Sequence, residues 1–315
     1  MSQIYLGAHI NREKTILNTM ETIAKNGGNC LQLFVSNPRS TALVSLDNYL
    51  SIADDIKEYS AKHNFRTVIH ASYTINLARD FKNGKRAVSI EDCAWIQLLL
   101  HELYISHLLG SSGVVVHIGK HTTLTPEYGL ENMRIALEYV IAELQKNKIN
   151  AKILLETPAG QGTELLTDLT DFLEFFNQFS VEQKRYLGIC LDTAHIWGAG
   201  YELCEALTMI TSRNASDLVA IHLNNSKVAK GSRVDRHATL FDTAGKIPHS
   251  SIKEFLELLA KPATPATPAK PATKPKTQMP IIILETPSAN YAEELMVIAA
   301  TAAVVASAAA AASLS

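Results

Sequence analysis

Eight short hydrophobic runs recur along the chain, separated by longer amphipathic or loop-rich stretches, and this alternation narrows the fold more than any other feature. They are Tyr5 to Ile10, Cys30 to Val35, Arg66 to Ala71, Gly113 to Ile118, Ala151 to Thr157, Leu187 to Thr193, Leu218 to Asn224 and Pro280 to Thr286. Each is β-branched and nearly unbroken in hydrophobicity, the pattern of a parallel strand covered on both faces. Between them, segments such as Ser89 to Leu109 and Pro126 to Lys146 are amphipathic and long enough for right-handed crossover helices. Eight strand–helix repeats predict an α/β chain closed into a (β/α)8 TIM barrel. The alternative is an open doubly wound sheet, but the first strand–helix turn, Gly7-Ala8-His9-Ile10, lacks the GxGxxG of a dinucleotide site.

At 315 residues, 47% hydrophobic and 19% charged, the chain is too apolar to be disordered. A chain this long buries roughly three quarters of its unfolded surface and needs no disulfides. Its four cysteines (Cys30, Cys93, Cys190 and Cys204) show no CxxC spacing, which excludes a thiolate zinc finger and predicts reduced core thiols. The formal charge of −2 argues against a protein held to nucleic acid by bulk positive charge alone. Met1-Ser2-Gln3 runs directly into the first strand with no secretory signal, so a soluble intracellular protein of cytoplasm or nucleus is expected.

Residues 1–300 are expected to form a single catalytic barrel interrupted by an insertion at 261–280, where a Pro/Ala/Thr/Lys tract predicts an extended segment. It joins the seventh helix to the eighth strand, which places it on the N-terminal face. It reads as a tolerated surface insertion, with contact of its lysines to nucleic acid or an acidic partner as the second reading. Residues 301–315 form an Ala-rich low-complexity tail; the uncharged stretch from Leu295 is just long enough for a bilayer, but alanine contributes little to insertion, so membrane anchoring ranks second.

The strand ends carry the chemistry. His9 closes the first run, His70 the third, His117 the fourth, Glu156 the fifth, Asp192 the sixth, His222 the seventh and Glu285 the eighth. His195 follows three residues after Asp192, and Asp235-Arg236-His237 lies in the loop after the seventh. In a barrel these ends share the face on which active sites are built. Singly, such a histidine is more often hydrogen-bonded than metal-bound, and such an acid more often a helix cap. Together, Glu156, Asp192, Asp235 and Glu285 would repel and take up protons unless cations neutralised them. Imidazoles and carboxylates without thiols suit zinc or manganese.

The stretches His70 to Leu77 (HASYTINL), Leu155 to Gly162 (LETPAGQG), Cys190 to His195 (CLDTAH), His222 to Lys227 (HLNNSK), Gly231 to His237 (GSRVDRH) and Ile283 to Glu285 (ILE) resemble endonuclease IV, the family 2 apurinic/apyrimidinic endonucleases, in matching order over residues 3–298. The resemblance implies a xylose-isomerase-like barrel with three Zn2+ ions per chain, Mn2+ being acceptable at one position. His70 and His117 hold one ion, and Glu156, the catalytic carboxylate, bridges it to a second. Asp192, His222 and Glu285 complete the second site; His195, Asp235 and His237 hold the third. It implies a monomeric DNA-repair enzyme that uses a metal-activated hydroxide to cut the phosphodiester 5′ to an abasic site in double-stranded DNA, leaving a 3′-hydroxyl and a 5′-deoxyribose phosphate. Arg39 and Tyr73 stand where the family fills the gap left by a flipped nucleotide.

Three positions depart from the family pattern: Ile118 follows His117 where proline is usual, Thr74 replaces a stack-inserting leucine, and Asn225 stands where aspartate is frequent. None removes an expected ligand. Two other functions compete: a metal-dependent sugar isomerase on a related barrel, which the Asp235-x-His237 pair disfavours, and a non-catalytic protein that binds damaged DNA.

Overall fold

In the computed structural model, which describes residues 4–260, 279–286 and 291–300, the eight hydrophobic runs form strands. Numbered around the barrel, these are β1 (Tyr5–His9), β2 (Cys30–Leu33), β3 (Arg66–His70), β4 (Val114–His117), β5 (Ile153–Glu156), β6 (Leu187–Asp192), β7 (Leu218–His222) and β8 (Ile281–Leu284). All pair in parallel, and β1 closes the barrel by pairing with both β2 and β8, Gly7 lying opposite Cys30 and Ile283. Each strand is a little shorter than its hydrophobic run, because the last residues of every run, and in three runs also the first, lie outside the ladder.

Two buried layers result. Most buried side chains lie between strands and helices, while Tyr5, Cys30, Val68, Val115, Leu154, Cys190, Ala220, Ile281 and Ile283 form a separate cluster. One such residue comes from each strand (two from β8), as expected for the filling of a barrel interior. The close approach of β1 to β2 depends on Gly7: a Cβ there would meet the Cys30 carbonyl oxygen at 1.7 Å.

Helix Pro126–Lys146 has its predicted bounds: the Thr125 hydroxyl accepts from the Tyr128 N–H, and Pro126 occupies the first turn, where its missing N–H costs nothing. The helix predicted from Ser89 starts later, at Ala94, because residues Lys82–Asn83 and Arg86–Ala87 pair as a short ribbon, and the Asn83 side chain accepts from the Ala94 N–H. It ends at Gly110, whose φ of +65° a residue without a Cβ adopts freely. Residues 291–300 are helical. No described helix is long and apolar enough to cross a membrane. Cys30, Cys93 and Cys190 are buried and Cys204 is half-buried. The extended tract, apart from Met279 and Pro280, and the alanine tail lie outside the described residues.

Candidate metal centre

Side chains alternate along a strand, so the residue two positions beyond an inward one also points inward. From Val68 this rule leads to His70, from Val115 to His117, from Leu154 to Glu156, from Cys190 to Asp192, from Ala220 to His222 and from Ile283 to Glu285. The interior is thus apolar through its depth and lined with imidazoles and carboxylates at its C-terminal mouth. Gln32 occupies the equivalent position two beyond Cys30, and His9 stands four beyond Tyr5, past Gly7.

Three groups of possible ligand atoms lie within 4.8 Å of one another: His70, His117 and Glu156; Glu156, Asp192, His222 and Glu285; and Asp192, His195 and His237. Asp235 joins the last group, with Oδ2 3.4 Å from His195 Nε2 and Oδ1 3.1 Å from His237 Nε2. All nine sequence-predicted ligands therefore meet in one centre. Glu156 belongs to two groups, as the resemblance implied, and Asp192 also belongs to two, which the sequence did not reveal.

The histidines are held so that one ring nitrogen faces this centre. His70 Nδ1 lies 2.8 Å from the Ala71 carbonyl and His195 Nδ1 2.9 Å from the Thr157 carbonyl. His222 reverses the arrangement. Its Nε2 bonds Gln32 Oε1 at 2.9 Å, leaving Nδ1 2.8 Å from Glu156 Oε1 and 3.0 Å from Glu285 Oε2. Carbonyl and amide oxygens accept only, so each bonded nitrogen carries a proton and the other faces the centre, where it would give its lone pair to a metal ion once any proton on it is displaced. Asn224 orients the acids, donating to Asp192 Oδ2 at 2.8 Å and accepting from the Glu285 N–H at 3.0 Å. Gln161 accepts from the Asp235 N–H at 3.0 Å, and its own N–H is fixed by Glu164. Gln32, Thr157, Gln161, Glu164 and Asn224 were not singled out in the sequence, although Thr157, Gln161 and Asn224 lay inside recognised motifs.

Electrostatics bind the cluster together. Burial alone would raise the Glu156 carboxyl, but His117, His222 and His195 outweigh it and hold the group at about 2. Burial opposes charge on His237, yet Asp192 and Asp235 lift it to about 9, and His195 likewise rises well above its ordinary value beside Asp192, Asp235 and Glu156. His70, where burial dominates, falls to about 3 and is neutral. Glu156 Oε2, His195 Nε2 and His237 Nε2 are buried without a well-directed hydrogen bond, their nearest polar neighbours being ion-pair contacts with His117 and Asp235. Buried polar atoms are seldom left so, and these lie where a divalent cation would accept their lone pairs. The donor set fits metal ions.

The centre opens into a cavity of about 570 Å³ whose wall includes Tyr73, Phe34, Asn76 and Lys120. Tyr73 is 58% exposed and packs its ring edge-on against Phe34, His70 and His117, with centroids 5.3, 5.4 and 5.7 Å away. Burial, then Glu285 and Glu156, push its hydroxyl up to about 12, so it stays neutral. Arg39 is exposed on the adjacent loop and does not line the cavity. Thr74 is half-buried and bonds Ser72 Oγ at 2.8 Å, tying down its own loop.

Comparison with known proteins agrees with this geometry. The family described as xylose isomerase-like TIM barrel matches residues 20–279. A probable endonuclease 4 of Clostridium botulinum is 34% identical over 247 residues, covering 75% of this chain and 82% of the relative. One from Haloquadratum walsbyi is 32% identical over 260 residues, 80% and 86% of the two chains. Among solved structures, endonuclease IV from Thermus thermophilus superposes with a TM-score of 0.67 at 25% identity, covering 94% of this chain and 98% of that one. A D-tagatose 3-epimerase-like protein, at 17% identity and a TM-score of 0.63, shares the fold. The chain belongs to the endonuclease IV family of DNA-repair nucleases, built on a xylose isomerase-like TIM barrel.

Proposed function

We propose that this protein hydrolyses the phosphodiester bond 5′ to an abasic site in duplex DNA, leaving a 3′-hydroxyl and a 5′-deoxyribose phosphate, with three zinc ions as cofactors. The observation that carries this reading is the convergence of three overlapping groups of donor atoms, several buried without a well-directed hydrogen bond, at the mouth of one barrel. His70, His117 and Glu156 would hold one ion; Glu156, Asp192, His222 and Glu285 the second; His195, Asp235 and His237 the third. Bound divalent ions supply a water-derived nucleophile active at neutral pH and neutralise charge on the attacked phosphate.

The chain's own residues do the rest. Gln32, Thr157 and the Ala71 carbonyl hold the rings at fixed orientations, so the donors need little rearrangement on loading. Tyr73 offers an aromatic wall and a neutral hydroxyl at the cavity rim, suited to the space left by a missing base. Arg39 offers an exposed guanidinium to a neighbouring phosphate. An abasic nucleotide has lost most of its stacking, so flipping it outward costs least at the lesion itself.

The test is incision of a duplex carrying one abasic analogue. Zinc-loaded parent protein is expected to cut it on the 5′ side, and Glu156→Ala to lose at least about 100-fold in turnover while keeping part of its DNA affinity. Equal rates for variant and parent at matched metal content, or turnover of an aldose with no incision, would refute the assignment.

A further inference from the structure

Glu102 is a carboxylate that the metal centre does not use. It lies in helix Ala94–Leu109, on the far side of the strand wall, and has no solvent exposure. Its partners are two serines. Ser36 donates its hydroxyl to Glu102 Oε1, and the Ser72 N–H is shared between Oε1 and Oε2, 3.3 Å from each. Ser36 lies in the loop after β2; Ser72 lies in the loop after β3. A carboxylate accepts at both oxygens and donates at neither, so one side chain satisfies a donor from each loop at once.

Above this point the two loops are joined again. The Tyr73 N–H donates to the Pro38 carbonyl at 3.0 Å, and Ser72 Oγ lies 3.3 Å from the Asn37 carbonyl and 3.4 Å from that of Ser40. Arg39 and Tyr73 sit at the tips of these loops. Burying a carboxylate against neutral partners opposes folding, so the arrangement has a cost that packing alone does not explain.

We propose that Glu102 is a positioning residue that fixes the loops 36–40 and 72–74 in one register, so that Arg39 and Tyr73 engage the same lesion. The substrate half of this inference rests on the reading of the chain as an abasic-site nuclease; the clamp itself rests only on the contacts above. Without Glu102 the tips keep their contacts with each other but lose their common anchor on the helix. Substrate binding must then order both loops, while the metal centre and the chemistry it supports are untouched.

The experiment uses the full zinc-loaded chain and an abasic-analogue duplex. Glu102→Ala is expected to raise KM about tenfold, with kcat and zinc content unchanged. Glu102→Gln, which keeps the volume and one acceptor, should recover most of that loss. Hydrogen exchange should show the Ser72 and Tyr73 amides losing protection while Val68 and Ile69 in β3 keep theirs. Combined with Tyr73→Ala, the Glu102→Ala effect should shrink, since the two act through the same grip on DNA. If Glu102→Ala does not fold, Ser36→Ala, which removes only the loop's donor, should give the same KM-against-kcat split at smaller size. Unchanged KM and exchange, or a joint fall of kcat, KM and zinc content, would overturn the proposal. Failure of the parent to incise would sink the functional reading alone, because hydrogen exchange would still report on the clamp.

Discussion

Burial pushes the Glu102 carboxyl up to about 7, although the Ser36 hydroxyl and the Ser72 N–H both pull it down. Tyr49, whose hydroxyl feels the Glu102 charge, is likewise raised by burial, with Arg12 acting in the opposite sense, so it does not ionise in step with Glu102. In the unfolded chain the carboxyl titrates near its ordinary value of 4.5. Between these two values the folded protein keeps a proton that the unfolded chain has lost, and stability therefore falls as pH rises. The shift corresponds to about 3 kcal/mol, present below pH 4.5 and lost as pH rises through about 7. Glu102→Gln cannot titrate. The unfolding free energy of the parent minus that of this variant, from urea titrations across that range, should drop by about 3 kcal/mol; a flat difference would mean that the carboxyl is not desolvated in the fold. At this scale the sequence said little. Glu102 looks like one of the polar positions of an amphipathic helix, and Gln32 like an isolated amide in an apolar run. Their roles come from partners that fold alongside them, Ser72 for Glu102 and His222 for Gln32.

At the scale of elements, the polar residues that close the hydrophobic runs made the candidate centre readable, and the period-two geometry of the strands explains why they converge. Once a run is taken as a parallel strand, its last polar residue and the apolar residue two places earlier must share a face. A slip of one residue would turn every predicted ligand outward. His70, His117, Glu156, Asp192, His222 and Glu285 were legible as strand ends and His195, Asp235 and His237 by lying just beyond them, whereas the division of all nine into three sites came from the motif resemblance. The helix start at Ser89 was misplaced because Gly84-Lys85 turns a tight hairpin in which Asn83 pairs with Arg86, and the Asn83 side chain then caps the helix at Ala94. Closure of the barrel was also only partly visible, since it depends on backbone approach rather than on hydrophobic pattern. Gly7 lets β1 lie against β2, and its Cβ position is filled by the Cys30 carbonyl and Sγ. Gly7→Ala should therefore destabilise the protein by about 1–3 kcal/mol or more, because the obstacle is mainly backbone and cannot rotate away. A midpoint in urea unchanged from the parent would show that the β1–β2 seam has slack these distances deny.

On the scale of the whole molecule, the difficulty is to bring a polyanion to a chain whose formal charge is −2 and whose centre concentrates carboxylates. Without metal, those carboxylates are balanced by protons on His195, His222 and His237, all raised above their ordinary values, so the mouth of the barrel offers DNA little net positive charge. Three divalent ions would carry the formal charge, counted with neutral histidines, to about +4 and place the gain at the cavity that would receive the phosphate. The ions would then serve binding as well as chemistry. Chelation should raise the Kd for an abasic duplex by at least about tenfold and flatten its dependence on salt by roughly one unit of log–log slope for each phosphate no longer neutralised. The melting temperature should fall in the same samples, since the ions bind only the folded chain, and reloading with zinc should restore both. An arrangement in which basic loops alone hold the DNA predicts the opposite: affinity and salt slope would survive chelation, and only incision would stop.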